Sequence, residues 1–401
     1  MTTIPACAAR PYHVAVPDGK LRWIAQRVRD YPWDRMPDAG GWTCGTSVTF
    51  LRELADYWVD GFDWRAVERG LNRYPQFKAE IDGIDVHFYH VRSAMPDARP
   101  LLLLHGWPGS VVEFLHLVDA LTDPVAHGGR ERDAFHLVIP SLPGFAFSGK
   151  PPGPVAPGQM AHMFSALMTK TLGYEQFIVQ GGDWGAIIAT LMGHLDDGHV
   201  DGIHLNMVVP DFVREPQGIE EENWTRQRAA TQRQESAYGL IQGTKPQTLG
   251  FAMTDSPVGV AAWIVEKFAG WSDLPRAPDG QPDIQAVYSF DQLLTNIMLY
   301  LVEDSFVTAA WIYRGFNDAF PASPFATGAR CPAPTAIAAF HDPLMPPPPR
   351  SMADRNYNVV QWNDMPHGGH FAALERPRDL LDDLRRFAAL LAKRSSPEDG
   401  S

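Results

Sequence analysis

The 401-residue sequence predicts an α/β fold: a mostly parallel central sheet flanked on both faces by helices, with a helical lid and an N-terminal extension. Three observations predict it. From residue 101 onward short apolar runs recur, several of them separated by stretches with helical spacing, which is the pattern of strands buried between helices. That alternation stops between about residues 210 and 325, where the chain is helical, rich in Gln, Trp and Tyr, and free of buried-strand runs. Before residue 94 the rhythm differs from both.

Taken in order, residues 21–28 and 50–58 carry apolar side chains at helical spacing. Residues 77–91 alternate like a hairpin, with the turn at Asp82-Gly83. Strands are expected at 101–104, 135–140, 177–180, 202–209, 335–340 and 357–362, and helices at 110–121, 159–172 and 184–195. The Pro/Gly-rich stretches 150–158 and 343–349 read as loops. An insertion at the carboxyl end of a strand sits over the ligand crevice of such a sheet, so 210–325 reads as a lid.

Composition excludes several classes of function. A formal charge of −13 argues against nucleic acid and against anionic membranes, both of which need clustered Lys and Arg. Three cysteines, Cys7, Cys44 and Cys331, have neither metal-ligand nor redox spacing, and a reducing cytoplasmic compartment fits them. No signal peptide is expected at residues 1–11, and no run of about 18 apolar residues predicts a membrane span.

Phe177-Ile-Val-Gln-Gly-Gly-Asp-Trp-Gly-Ala186 is the most informative segment: a strand, then small-x-nucleophile-x-small, then a helix. A sharp strand-to-helix turn strains its central residue and needs small neighbours, here Gly181 and Gly185. The central residue is Asp183, and no Gly-x-Ser-x-Gly occurs in the chain. A carboxylate nucleophile suits displacement at an alkyl carbon through a covalent ester. The segment alone also fits a Gly-rich turn with Asp183 capping a helix. Upstream, His105-Gly-Trp-Pro-Gly-Ser110 follows the Leu run, where an α/β-hydrolase supplies one oxyanion N–H. Trp107 and Trp184 would be the two backbone donors. Downstream, Met365-Pro-His-Gly-Gly-His-Phe-Ala-Ala-Leu-Glu-Arg-Pro377 stands where the general base belongs in the order nucleophile, acid, His. His370 is the choice and His367 the local rival. A metal held by both is disfavoured, because Gly-Gly between them provides no rigid face.

In this order the motifs resemble the epoxide hydrolases of the microsomal and juvenile-hormone type. Thr244-Lys-Pro-Gln247, Asp255-Ser-Pro-Val-Gly259, Asn296-Ile-Met-Leu-Tyr300, Tyr57-Trp-Val-Asp-Gly-Phe-Asp-Trp64 and Tyr74-Pro-Gln-Phe77 match as well, so the resemblance spans roughly residues 11–392. It implies an α/β-hydrolase fold divided into an N-terminal extension wrapping the core (1–93), a first core half (94–209), the lid (210–325) and a second core half (326–401). It points to soluble bacterial members, enediyne biosynthesis among them, and so to secondary metabolism or detoxification. Membrane-bound members carry an N-terminal anchor that is not seen here.

The resemblance also implies two lid tyrosines that bind the epoxide oxygen; Tyr238 matches the first and Tyr313 the second. Tyr288 and Tyr300 read as packing residues. The family's triad acid lies in a Phe-Pro-x-acid-Leu pattern. Here Phe340-His-Asp-Pro-Leu344 sets the acid one position early, with Pro343 in its place. Asp342 is preferred, 28 residues before His370, with Asp211 and Glu303 as alternatives. The expected reaction is attack by Asp183 on an apolar, bulky or aryl epoxide, aided by Tyr238 and Tyr313. His370, oriented by Asp342, then activates the water that releases a vicinal diol. The lid tryptophans Trp224, Trp263 and Trp271 suggest the apolar substrate. Substrate and water are the expected partners, with homodimerisation left open, and no metal or organic cofactor is needed. A haloalkane dehalogenase using Trp107 and Trp184 for halide is the nearest rival. A non-catalytic ligand receptor on the same fold is the rival from another class.

Overall fold

A computed structural model describes residues 8–195, 197–209 and 213–395. The chain opens with β1 (Arg10–Tyr12), then α1 (Asp18–Arg29), α2 (Val48–Asp60) and α3 (Trp64–Leu71). Ser47 and Asp63 start α2 and α3 by accepting the N–H groups of Phe50 and Ala66. β2 (Gln76–Ile81) and β3 (Ile84–Val91) form the expected hairpin. Its turn residues Asp82 and Gly83 have φ of 51° and 77°, the left-handed pair that matches strand twist.

The core continues with β4 (Arg99–Leu104), α4 (Val112–Leu115), α5 (Val118–Thr122), β5 (Phe135–Pro140), α6 (Pro157–Ala166), β6 (Phe177–Gly181), α7 (Asp183–Met192) and β7 (Val200–Leu205). The helical insertion holds α8 (Gly218–Glu235), α9 (Ala237–Thr244), α10 (Pro246–Met253), α11 (Pro257–Trp271), α12 (Phe290–Val302), α13 (Phe306–Ala319) and α14 (Pro324–Thr327), the last of which straddles residue 325. β8 (Cys331–Ala339), α15 (Arg350–Asn356), β9 (Tyr357–Asp364), α16 (Ala372–Glu375) and α17 (Pro377–Ser395) complete the core. Thr244-Lys-Pro-Gln247 and Asp255-Ser-Pro-Val-Gly259 are helix starts: Pro246 and Pro257 occupy the first turns of α10 and α11, and Ser256 caps Gly259 N–H at 3.0 Å.

The sheet runs β1-β2-β3-β5-β4-β6-β7-β8-β9, antiparallel through the β3–β5 pair and parallel from there on. Its central strands β4, β5 and β6 are mostly apolar and buried, as strands covered by helices on both faces are. The extension is therefore split. Its strands continue the sheet, whereas its helices and the turn before α2 brace the lid through Thr46 Oγ1 to Ala262 O (2.7 Å), Tyr57 OH to Asp291 (2.9 Å) and the Arg27–Asp255 and Lys20–Asp304 ion pairs.

Four elements differ from the pattern-based expectation. The helix expected over 110–121 is α4 plus α5; at the break, His116 Nε2 reaches Ala373 O at 2.8 Å. The helix expected over 159–172 ends in a π-turn at Leu167–Thr171, where Thr169 Oγ1 bonds back to Ser165 O at 2.7 Å. β7 stops at Leu205 rather than 209, because Asn206 turns inward to accept Gln180 Nε2 at 2.8 Å. β8 begins at Cys331 rather than 335, with a register shift around Pro332 and Pro334, which have no N–H for the ladder. Among the described residues no single helix is long and apolar enough to cross a membrane.

Candidate active site

Asp183 stands between β6 and α7 with φ of 48°, left-handed for a residue with a Cβ. The turn is tight enough to exclude other side chains. A Cβ on Gly181 would lie 2.3 Å from the Gly185 carbonyl, and one on Gly185 would lie 2.0 Å from Leu104 O. The carboxylate sits at the N-terminus of α7, where free N–H groups and the helix dipole favour negative charge. Asp183 Oδ1 accepts the Trp107 N–H at 2.7 Å, and Trp184 N–H lies in the first turn of α7. Gly106 lets the two loops meet, since a Cβ there would lie 2.1 Å from Asp183 Oδ1.

Asp183 Oδ2 is 3.3 Å from His370 Nε2, and His370 Nδ1 is 2.7 Å from Asp342 Oδ2. Asp342 is held by the N–H groups of Leu344 (2.8 Å) and Met345 (3.0 Å) on its Oδ1. Pro343 thus leaves Asp342 pointing at His370. Burial disfavours the imidazolium, but Asp342 and Asp183 outweigh it, and the His370 pKa is raised well above the usual histidine value. His367 is exposed. Glu303 lies at the end of α12 among Lys78, Lys150 and Lys20, away from His370. Asp211 lies outside the described residues.

The lid places Tyr238 of α9 and Tyr313 of α13 over this group. Tyr238 stacks on Trp107 (centroids 5.2 Å, interplanar 11°), and Tyr313 meets Trp184 edge-on at 4.6 Å. Burial raises both phenol pKa values, so both stay protonated. The phenols are close enough to affect each other's ionisation, yet Tyr313 OH has no hydrogen-bond partner of good geometry. Trp107 Nε1, Trp184 Nε1, Trp271 Nε1 and His370 Nε2 are likewise buried without one. Buried polar groups are normally satisfied, so unpaired groups carried by rings that pack together around Trp107 and Tyr238 mark a place for a polar ligand atom. Trp271 completes the wall, 5.0 Å from both Tyr238 and His370. Trp224 and Trp263 instead bond Pro346 O and Gln242 as structural groups.

Sequence reasoning singled out the segments at His105 and Asn296–Tyr300 but missed their part in holding this group in place. His105 Nδ1 is 3.0 Å from Gly106 O, and its Nε2 accepts Leu142 N–H at 3.2 Å. Burial lowers its pKa to about 4, so it is a neutral loop brace. Asn296 Nδ2 donates to Pro108 O at 2.7 Å, and Tyr300 OH donates to Gly109 O at 2.6 Å. Tyr300 is buried as expected but also pins the 105–110 loop, and Tyr288 OH pairs with Ser272 Oγ at 2.7 Å. The i, i+4 spacing of Asn296 and Tyr300 was the available signal, since it turns both polar groups to one side of a helix. Glu113 lies behind Asp183, its pKa pushed up to about 8 by burial. Glu375 accepts N–H groups from Asp273, Gly369 and Phe371 at 2.8–2.9 Å, joining the lid to the His370 loop.

Known proteins share both the sequence and the fold. Residues 9–114 match the family described as "Epoxide hydrolase N terminus", and residues 99–377 match "alpha/beta hydrolase fold". Epoxide hydrolase 1 of Sus scrofa is 33% identical over 407 residues, 95% of this chain and 89% of that protein. The structure of Aspergillus niger epoxide hydrolase superposes with a TM-score of 0.82 at 31% identity, covering 96% of this chain and 97% of that one. Juvenile hormone epoxide hydrolase from the silkworm Bombyx mori superposes with a TM-score of 0.81 at 30% identity, covering 97% and 96%. With an α/β-hydrolase core, the matching N-terminal segment and full-length relatives of this identity, the chain belongs to the epoxide hydrolase family.

Proposed function

We propose that this protein converts an apolar, aryl-bearing epoxide to a vicinal diol through an alkyl ester on Asp183. The observation that carries this reading is the division of the Asp183 carboxylate. Oδ1 is already held by the Trp107 N–H, while Oδ2 faces His370 and the lid. Oδ2 attacks an epoxide carbon as Tyr238 and Tyr313 donate to the departing oxygen. The ester carbonyl is then Oδ1, which stands in the oxyanion site before chemistry begins. Esterification removes the Asp183 charge, one of the two that raise the His370 pKa, so the imidazolium gives up its proton more readily and neutral His370 is available when a base is required. With Asp342 behind it, His370 deprotonates a water that adds to the ester carbon Cγ, and the Cγ–Oδ2 bond breaks, so that Oδ2 leaves with the diol and the water oxygen stays in the carboxylate. The aromatic walls, Trp107, Trp184 and Trp271, support an apolar substrate.

A single turnover in ¹⁸O-water tests this directly. The label belongs in Asp183 and the first diol should carry none; label in the diol alone would mean direct attack by water. His370→Gln should accumulate protein plus one substrate in intact-mass spectra. The unpaired Trp107 and Trp184 indole N–H groups are the feature that would favour a halide-releasing reading. Halide release from haloalkanes at rates matching diol formation would support that alternative.

A further inference from the structure

Lys267 is a charged side chain, only 6% exposed, in a lid helix that otherwise turns apolar residues inward. Its ammonium lies 4.5 Å from the Tyr238 ring centroid and 5.5 Å from that of Trp271. A buried ammonium needs a counter-ion, and Glu266, the preceding residue, forms the ion pair. Glu235 is the other carboxylate coupled to this pair. The two partners are unequally buried: the side chain of Lys267 is 7% exposed and that of Glu266 27%. Water therefore screens the carboxylate more than the ammonium. Glu266 acts on the Tyr238 hydroxyl in the opposite sense to a cation, and is the weakest of the groups that do so.

We propose that Lys267 is an electrostatic positioning residue for ring opening, which acts through Tyr238 by holding a cation against the ring of the phenol that donates to the epoxide oxygen. The inference rests on the donor role read for Tyr238 above. As the C–O bond breaks, the epoxide oxygen gains negative charge and draws the phenol proton toward it. The ring gains electron density in step, and its attraction to the ammonium grows. The contact is therefore stronger in the transition state than in the bound complex, the condition for accelerating a step rather than merely binding substrate. The proton is shared between phenol and alkoxide, and Lys267 neither gives nor takes one. The ester-hydrolysis step uses the backbone donors instead and gains nothing from Lys267.

The experiment is stopped-flow alkylation and ester hydrolysis, followed separately, on a panel of aryl and alkyl terminal epoxides. Lys267→Met, which keeps the stem and removes the charge, should slow alkylation roughly tenfold and change hydrolysis by less than about twofold. Lys267→Arg should restore most of the alkylation rate. In a Tyr238→Phe background the Lys267→Met substitution should have little further effect on alkylation, because the ring has no proton to give up. Equal slowing in both backgrounds, or equal slowing of both steps, would overturn the proposal in favour of packing. An unchanged alkylation rate in Lys267→Met would overturn it outright. Tyr238→Phe alkylating at the unaltered rate would instead remove the donor reading on which it stands, so the two failures are distinct. Near-ultraviolet circular dichroism of each variant checks that the lid is folded, and Lys267→Gln, which also removes the charge, carries the comparison if Lys267→Met is not.

Discussion

His370 lies between two carboxylates, and in the proposed reaction one of them loses its charge. Asp342 at 2.7 Å and Asp183 at 3.3 Å favour the imidazolium form of His370 against the penalty of burial. Removing the Asp183 charge should therefore lower the pKa of His370. In Asp183→Ala, NMR of the imidazole should show it titrating at lower pH than in the unsubstituted protein. An unchanged midpoint would mean that Asp342 alone sets it. In the proposed reaction Tyr238 and Tyr313 donate to the same oxygen, so each should partly replace the other. Loss of one donor to a developing charge costs about 3 kcal/mol, roughly a hundredfold in rate. Stopped-flow traces of Tyr238→Phe, Tyr313→Phe and the double variant should place that loss in alkylation and leave ester hydrolysis little changed.

At the scale of elements, helices of the lid hold the core by a few polar side chains. α12 pins the 105–110 loop through Asn296 and Tyr300, and α8 is tied to α15 through Glu221. Glu221 is buried and accepts Arg355 Nη1 and Nη2 (both 2.8 Å), Ser351 Oγ (2.6 Å) and Gln217 N–H (2.7 Å). The Arg355 hydrogen bonds chiefly hold its pKa down to about 2. A depressed carboxylate pKa gives stability that is present above the unfolded value near 4.5 and is lost as pH falls toward about 2. Glu221→Ala should destabilise the protein by about 2 kcal/mol at neutral pH, since it removes the acceptor of four hydrogen bonds, two of them from a guanidinium. Denaturant melts across pH should show that difference shrinking in acid; a constant difference would assign it to packing.

The molecule as a whole closes its site by joining three regions of the chain. The N-terminal helices brace α11 and α12, α11 ends in Trp271 against His370, and the His370 loop is held to the lid by Glu375. His370 N–H itself donates to Trp271 O at 3.0 Å, and Gly368 N–H to Asp273 Oδ2 at 2.9 Å. Burial pushes the Glu375 pKa up to about 6 against the three N–H groups it accepts and the charge of His370. A raised carboxylate pKa means the folded state binds the proton more tightly. The Glu375 contribution to stability therefore falls as pH rises from about 4.5 to about 6. Glu375→Gln sets amide hydrogens against those N–H groups. It should cost about 2 kcal/mol and slow ester hydrolysis more than alkylation, because it disturbs His370 and not Asp183. Equal slowing of both steps would point to a general loss of fold.

What was legible in the residues alone was local or ordered along the chain. The hairpin at Asp82-Gly83, the strained turn at Asp183 and the strand-helix alternation each depend on neighbours a few positions apart, so composition and periodicity report them. The order of Asp183, an acid and His370 is legible because the sheet's connectivity fixes which loops meet at its carboxyl edge. Only the tertiary structure decided the aim of Asp342 beside Pro343, which depends on how Leu344 and Met345 turn their N–H groups. The same holds for the pinning of Pro108 O by Asn296, 188 residues away, and for Lys267 beneath Tyr238. Those contacts join segments distant in the chain, and no periodicity within either segment encodes which partner it will face.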